Sequence, residues 1–397
     1  MGYLPSEIIA QIVDLIDEGE GLTVVGRQAT LRACCLVSRQ WYNETIFRLY
    51  RNPFIDGSRF QKFAATVCPP LSSHGPGVAR LASHVVHLDM GRLVHESSNS
   101  MTCRLLGRVK KNLESFIAPK YSFAYSALTP LSKCSKLEKL DLSLVGSSVG
   151  AEAIRKALHR LQNLKFLRLP DFDIAEVPTG PETSWPPSLS KLFISGNLSS
   201  VRKPMNWPPA LKYLRLTDCR ETQPEPLDNL IQSFKECPNL THFSIIDTHG
   251  QLEEQPISTI LKHLPRLTFL SLPGEYITDV FFLGLFILAK DGSIPNPLPL
   301  RVLEFAQSST PVLEFSVDAA MVALREVLSN VTTIVFHMTY SEDEGKEEED
   351  RALIEILEFN AEKRTKAVKA KAGSGAGDDI VGEAGEDAGL GVFYFDD

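Results

Sequence analysis

Two adjacent cysteines, Cys34 and Cys35, stand in the segment LRACCLVSRQWY (31–42). A cysteine pair can bind a metal or take part in thiol exchange. The chain has seven cysteines, an odd number, and no two of them are spaced as C-x-x-C. The start MGYLPSEIIAQIVDLIDE has no basic leader, so we expect an intracellular chain with reduced thiols. We therefore expect neither a disulfide framework nor reactive sulfur at this pair.

Four further residues, Cys219, Cys237, His242 and His249, are the nearest approach to a metal-binding set. Their separations of 18, 5 and 7 positions match no common zinc pattern. No nucleophile elbow, phosphate-binding loop, H-E-x-x-H or kinase motif occurs. The sequence thus predicts a protein that is not an enzyme and that needs no metal or cofactor.

The distribution of charge and apolar residues excludes two classes of partner. Residues 341–397 contain 17 acidic and 7 basic residues, whereas the remainder is close to neutral, so no basic footprint for a nucleic acid exists. The longest apolar run, VFFLGLFILA at 280–289, is about half the length that spans a bilayer, and it predicts a buried helix rather than a membrane segment. We expect the cytoplasm, the nucleus or both as the location.

The elements around the cysteine pair are predicted to be three short helices within residues 1–50. The first has apolar residues at helical spacing, and glycines in residues 17–28 predict a long connection. The second runs from about Thr30 to Val37, and Ser38 is suited to cap the third.

The rest of the chain repeats one short unit, L-x-x-L-x-L. Copies begin between Val85 and Val331 at intervals of 22 to 33 residues, and helix-like segments such as AEAIRKALHRLQN lie between them. Stacked units of one strand and one helix share a continuous core. The predicted fold class is therefore α/β: a three-helix bundle, then an irregular leucine-rich-repeat solenoid with a parallel concave sheet, then a disordered acidic tail. We expect Trp-Pro-Pro to replace the helix in two units, leaving 171–210 extended.

The predicted domain limits follow from these changes of character. They are 1–52 for the bundle, 53–80 for a linker or connecting helix, 81–340 for the repeats and 341–397 for a mostly disordered tail with a possible helix at 350–371. The closing VFYFDD is either a docking peptide or without a role.

The segments LPSEIIAQIVDLI and LRACCLVSRQWYNETIFRLYR together resemble the F-box domain, whose pattern begins with Leu-Pro and continues as Cys-x-x-Val-Ser-x-x-Trp. With the repeats, the whole chain resembles the F-box proteins with leucine-rich repeats that are abundant in fungi. The connection at 17–28 is longer than the short turn usual in that family. The resemblance implies docking on the adaptor subunit of a cullin-based (SCF-type) ubiquitin ligase, and through it a cullin. The positions that it implies for docking are Leu4, Pro5, Ile8, Ile12, Leu31, Cys34, Val37 and Trp41.

In the same family the repeats capture the protein to be ubiquitinated. Alternation along the strands predicts which side chains face the concave surface. The candidates for target binding are Phe166, Arg168, Lys191, Phe193, Tyr213, Arg215, His242 and Phe269. Aromatic and basic residues are enriched in binding hot spots, and an acidic or phosphorylated peptide would suit them. They would alternatively only stack on one another across the strands. A second hypothesis for the whole chain is a repeat scaffold outside any ligase, whose bundle is a structural cap.

Overall fold

The structure is a computed structural model. It describes residues 4–19, 21–69, 81–94, 97–146, 149–171, 184–197, 206–220, 225–250, 252, 259–308, 313, 315–340, 346–372 and 390–395. The described residues form two compact units, which divide between Ser190 and Lys191. The predicted domain limits stay predictions. Half of the segment 171–210, for which extended backbone is expected, lies outside the described residues, as does the disorder expected from 373 to 389. In the described half, Lys191–Asn197 is a strand.

The first unit begins with three helices, α1 (Ser6–Glu18), α2 (Val24–Cys35) and α3 (Arg39–Arg51), which pack on one another. The side chain of Ser38 accepts a hydrogen bond from the backbone N–H of Trp41 and caps α3, as predicted. The predicted start of α2 is wrong by about six residues. Thr23 caps this helix by accepting from the N–H of Gly26, and the cap allows a glycine in the first turn. The connection between α1 and α2 is therefore the short segment 19–23.

A fourth helix, α4 (Gly57–Val67), follows the bundle directly. It buries Phe60, Ala64 and Val67 and packs against the next helix of the unit, α5 (Asn99–Val109). The N–H of Val86 donates to the carbonyl of Arg51, which joins the end of α3 to the residue before the first strand. The described part of 53–80, the stretch predicted as a linker or connecting helix, thus contains a helix.

The rest of the first unit consists of three-residue strands separated by helices. The strands are β1 (His87–Asp89), β2 (Ser115–Ile117), β3 (Lys139–Asp141) and β4 (Phe166–Arg168), and the later helices are α6 (Tyr125–Leu131) and α7 (Ala151–Leu158). The strands are parallel, and each pairs with the next in sequence. Their central residues, Leu88, Phe116, Leu140 and Leu167, are directly opposite one another and are buried.

The second unit repeats the same arrangement with longer strands. The strands are β5 (Lys191–Asn197), β6 (Tyr213–Arg220), β7 (His242–Ile246), β8 (Phe269–Pro273), β9 (Val302–Ala306), β10 (Thr333–His337) and β11 (Gly391–Phe395). The helices are α8 (Glu225–Ser233), α9 (Ile260–His263), α10 (Asp279–Lys290), α11 (Val317–Arg325) and α12 (Lys346–Ala372), with short 3-10 helices at Phe234–Glu236, Gly274–Tyr276 and Met338–Tyr340. Strands β5 to β11 are parallel, each paired with the next. Strands β1 to β10 coincide with the ten L-x-x-L-x-L copies, so the predicted repeat fold is confirmed.

Alternate residues of each strand of the second unit enter the core. One core row runs Leu192, Leu214, Phe243, Leu270, Leu303, Ile334 and Val392 across the seven strands. The residues between the core positions include partly exposed side chains, and we call the surface that they form the open face. The open face of the second unit begins with Lys191, Tyr213, His242, Phe269 and Val302 in one row.

The apolar run at 280–289 forms α10, but the prediction that this helix is buried is only half right. Phe281, Phe282 and Leu285 are buried, whereas Val280, Leu283 and Ile287 are 66, 60 and 58% exposed. A helix of a solenoid packs on its sheet and on adjacent helices through one side only, and the opposite side faces solvent.

The tail is more ordered at two places than its composition predicts. The expected helix at 350–371 is present as part of α12, which begins four residues earlier and buries Leu353, Ile356 and Leu357. Gly391–Phe395, inside the closing VFYFDD region, forms β11 and pairs with β10. Its aromatic rings find partners, because Tyr394 stacks on Phe336 with 5.7 Å between the ring centroids.

Candidate functional site

The start of α1 is held against the start of α3 by one side chain. Gln40 donates through Nε2 to the carbonyl oxygen of Leu4 at 2.9 Å and to Oγ of Ser6 at 3.1 Å. The carbonyl of Pro5 accepts from the N–H groups of Ile8 and Ile9 and so begins the helix. Leu4 and Pro5 are therefore fixed close to the N-terminus of α3.

Four apolar side chains remain exposed at this end of the bundle. Leu4 and Ile8 are 43 and 41% exposed, and Leu36 and Val37, which immediately precede the cap of α3, are 79 and 64% exposed. Since Gln40 bonds to Leu4, the turn containing Leu36 and Val37 lies within a few residues of the start of α1. We call Leu4, Pro5, Ile8, Leu36 and Val37 the docking surface. Contiguous exposed apolar surface is typical of interaction sites.

The other residues of the predicted docking set lie deeper in the bundle. Leu31 is 2% exposed and forms the bundle core with Ile9 and Val13, and Trp41 packs against that core. The predicted docking role of Leu31 is therefore corrected, because its side chain is buried in the bundle core and does not reach the surface. Ile12 is half-buried on α1.

The two adjacent thiols are free and half-buried at the end of α2. Burial raises the pKa of Cys34 and of Cys35, and the neighbouring thiol adds to the rise at Cys35. Thiols with raised pKa values stay protonated near neutral pH, and the thiol form is a poor nucleophile and metal ligand. The pair therefore acts as small apolar surface.

The docking surface contains two features that sequence patterns did not reveal. Leu36 is the most exposed of the apolar residues here, but it lies outside the Cys-x-x-Val-Ser pattern. Gln40 lies between Ser38 and Trp41 within the pattern, yet its contact with Leu4 joins residues 36 positions apart. Helical periodicity describes local spacing and carries no information about such a contact.

Six of the eight candidate target-binding residues lie together on the open face of the second unit. Phe193, Tyr213, His242 and Phe269 form a continuous stack, with successive ring centroids 5.2, 5.9 and 5.6 Å apart. The guanidinium carbon of Arg215 lies 5.5 Å from the ring of Phe193 and 5.9 Å from that of Tyr213. The amine of Lys191 lies 6.0 Å from the ring of Tyr213. The stacking alternative considered from the sequence is thus what the geometry shows, and it also fixes two cations beside an aromatic surface.

Two polar atoms beside this stack have no hydrogen-bond partner among the described residues. They are Nε of Arg215 and Oγ of Ser244, which stand on directly paired positions of β6 and β7. Ser244 is 0% exposed. Within the described part of the chain, the guanidinium of Arg215 has no carboxylate partner. Buried donors without acceptors are costly, and a ligand that supplies an acceptor removes this cost.

The other two candidates, Phe166 and Arg168, lie on β4 in the first unit. Nη1 of Arg168 is 3.4 Å from Oδ2 of Asp141, and the other carboxylate oxygen, Oδ1, accepts from the backbone N–H and the hydroxyl of Ser143. The charge of Arg168 is thus partly neutralised by its own unit.

The described residues contain no group of three or more His, Cys, Asp or Glu side chains placed to hold a metal ion. His242, the one member of the Cys219, Cys237, His242 and His249 set that faces the aromatic stack, bonds to the hydroxyl of Thr241 at 2.8 Å. As for the membrane, none of the described helices is both long and apolar enough to cross one.

Comparison with known proteins gives related chains in two fungi. The chain is 27% identical over 283 residues to Protein pof5 of Schizosaccharomyces pombe, which covers 71% of this chain and 76% of that protein. It is 26% identical over 332 residues to F-box protein YDR306C of Saccharomyces cerevisiae, covering 81% of this chain and 67% of that protein. No protein-family model matches the chain.

Solved structures with a similar chain path are more distant. The Rad7 and Elc1 complex in yeast gives 16% identity and a TM-score of 0.46 over 84% of this chain and 88% of that chain. The leucine-rich repeat-containing protein LegL7 from Legionella pneumophila gives 16% identity and a TM-score of 0.44 over 68% of this chain and 87% of that chain. The chain is therefore similar to two fungal proteins, one of them named as an F-box protein, and its own structure has the repeated parallel strands of a leucine-rich-repeat fold.

Proposed function

We propose that the chain is a target-recognition subunit of an SCF-type ubiquitin ligase and is not itself an enzyme. The observation that carries the proposal is the docking surface: four exposed apolar side chains gathered at one end of a small bundle and held there by Gln40. A domain of about fifty residues leaves much of its apolar surface unburied, and a partner can cover it. In this proposal the partner is the adaptor subunit, which in turn binds the cullin.

The experiment is co-expression of the full chain with the adaptor subunit, followed by purification on a tag of the adaptor. The proposal predicts that the two chains copurify in a fixed ratio. Absence of a complex, with the chain still folded by circular dichroism, contradicts it and favours the scaffold hypothesis. The link between Val86 and Arg51 is compatible with either hypothesis, since it fastens the bundle to the first repeat in both.

For the receptor half, we propose that the open face of the second unit binds an acidic segment of the target. Arg215 and Lys191 provide positive charge beside the rings, and the stacked rings provide a flat apolar floor. Charge-assisted hydrogen bonds to a carboxylate or phosphate are stronger than neutral ones. The same residue types dominate binding energy in protein interfaces.

Partners can be identified with the full-length Ile8→Asp chain, which cannot lead its target to a ligase if the docking proposal holds. Proteins captured by this chain are compared with those captured by the Ile8→Asp/Arg215→Glu chain. Loss of specific partners in the second chain is expected. The control is the Ile8→Asp/Lys262→Glu chain, which reverses a charge on α9 and should lose none of these partners. Equal capture by all three chains contradicts the receptor proposal and leaves the docking proposal intact.

A further inference from the structure

Helix α10 presents an apolar stripe to solvent on the side that faces away from the core. Val280, Leu283 and Ile287 are each more than half exposed, at 66, 60 and 58%. Their spacing of three and four residues places them on one face of the helix. The opposite face, with Phe281, Phe282 and Leu285, is buried, and the ring of Phe282 lies 5.5 Å from that of Phe315. The stripe is thus held on a well-anchored helix and is not an effect of fraying.

A notch lies directly beside this stripe. Gly284 follows Leu283, and a Cβ atom built on Gly284 would meet no described atom within 4 Å apart from its two chain neighbours and the nearby backbone of its own helix. A glycine inside a helix costs about 1 kcal/mol relative to alanine. The described part of the fold does not require a glycine here, because the space above Gly284 is free of described atoms from other elements.

The side chain of Leu283, which we call the knob, and the open space at Gly284, which we call the notch, are complementary to the same two features on a second copy of the helix. When two copies run antiparallel about a twofold axis, Leu283 lies opposite the partner's Gly284, and Val280 lies opposite the partner's Ile287. A twofold interface uses the same patch on both subunits, so each contact occurs twice. Small residues let two helix backbones approach closely at such a crossing.

The charges at the two ends of the helix favour the antiparallel direction. Asp279 begins the helix and Lys290 ends it, and both residues are exposed. One carboxylate oxygen of Asp279, Oδ1, accepts hydrogen bonds from the N–H and the hydroxyl of Ser316. A parallel pair would place like charges together at both ends. An antiparallel pair brings Asp279 close to the partner's Lys290 at each end of the crossing.

We propose that α10 is a self-association surface through which two copies of this chain pair by antiparallel packing of the Val280, Leu283 and Ile287 stripe. The area of these side chains is a few hundred Å² per copy, which marks an interaction patch but is well below the roughly 800 Å² per partner of a standard stable interface. The dimer is therefore weak and depends on concentration. Two-copy assembly would let one complex hold two target segments at once, with the gain in avidity that follows.

The test is sedimentation velocity of the full chain over a wide range of concentration. The Ile8→Asp chain, in which the docking surface carries a charge, is a second background. It should form the dimer with the same dissociation constant as the wild-type chain. Leu283→Asp removes the knob and should raise the dimer dissociation constant about tenfold or more. Gly284→Met fills the notch and should also weaken association, although it adds apolar surface.

A matched control is Tyr125→Asp, which places a charge on another exposed apolar position, 69% exposed at the start of α6, and should leave association unchanged. Monomer at every concentration in both backgrounds overturns the proposal. Unchanged or stronger association of the Gly284→Met chain also overturns it, because this result would indicate non-specific apolar association. Dissociation of the dimer by Tyr125→Asp overturns it as well, because the interface would then lie elsewhere. Circular dichroism of each variant shows that the fold is retained.

Discussion

The side-chain amide of Gln40 donates a 2.9 Å hydrogen bond to the carbonyl oxygen of Leu4, and this contact fixes the Leu-Pro start of the chain to the beginning of α3. The same amide bonds to the hydroxyl of Ser6. Two helices that are distant in sequence thereby present their exposed apolar residues at one end of the bundle.

Gln40→Ala should therefore affect docking more than folding. Each lost hydrogen bond lowers the free energy of unfolding by about 1 kcal/mol, and the released Leu4 should weaken adaptor binding several-fold. Unfolding in urea and adaptor titration check the two effects. Gln28→Ala removes a single bond, from Nε2 to the carbonyl of Asn52, and is the control. Equal adaptor affinity of Gln40→Ala and wild type would contradict this role.

Much of this arrangement is predictable from the sequence, but not all of it. The ten strands β1 to β10 were identified because each carries the same L-x-x-L-x-L spacing, and the core rows follow from that spacing. Leu4, Ile8 and Val37 were identified through the F-box pattern and are exposed, and their role in docking stays a prediction. Gln40 was missed because its partner is 36 residues away. Strand β11 was missed because its GVFYF lacks the repeat, and the contacts of Tyr394 with Phe336 and Asp350 join residues far apart in sequence.

Strand β11 covers the edge of β10 in the second unit, and its removal should expose that edge. Tyr394 stacks on Phe336 and donates to Oδ2 of Asp350 at 2.7 Å. Deletion of residues 390–397 should lower the melting temperature and promote aggregation, since an open parallel edge pairs with other chains. Light scattering during thermal unfolding measures both. Phe393→Ser, at a position 45% exposed, should have little effect. A truncated chain as soluble and as stable as wild type would contradict the capping role.

The buried thiol of Cys134 should make the fold less stable in alkali. Burial raises its pKa from an ordinary value near 9 to about 12. Above about pH 9 the unfolded chain releases this proton while the folded chain keeps it. Ionisation therefore stabilises the unfolded state, and the contribution of Cys134 to the free energy of unfolding falls as the pH rises towards about 12. In urea unfolding, the difference in stability between wild type and Cys134→Ala should shrink from about pH 8 to about pH 10.5. A difference that stays constant over this interval would count against the assignment.

Arg155 is a buried cation with an aromatic partner and without a carboxylate among the described residues. It is 6% exposed, its guanidinium carbon lies 4.7 Å from the centre of the Trp185 ring, and burial lowers its pKa to about 10. Replacing an unpaired buried charge by an apolar side chain of similar length is often neutral or stabilising by about 1 kcal/mol or more. Arg155→Met should therefore unfold at an equal or higher urea concentration than wild type. Arg155→Ala, which also loses the packing on Trp185, should unfold at a lower one. A Met variant as unstable as the Ala variant would show that the charge itself is needed.

The central claim is that the docking surface binds the adaptor subunit, and a paired comparison of affinities tests it most directly. Ile8→Asp and Val25→Asp introduce the same charge at positions that are 41 and 42% exposed, the first on the docking surface and the second at the start of α2. Calorimetric titration of the purified adaptor into each full chain should give a dissociation constant for Val25→Asp close to that of wild type and one for Ile8→Asp at least about a hundredfold weaker. Equal weakening by both substitutions, or by neither, would contradict the claim.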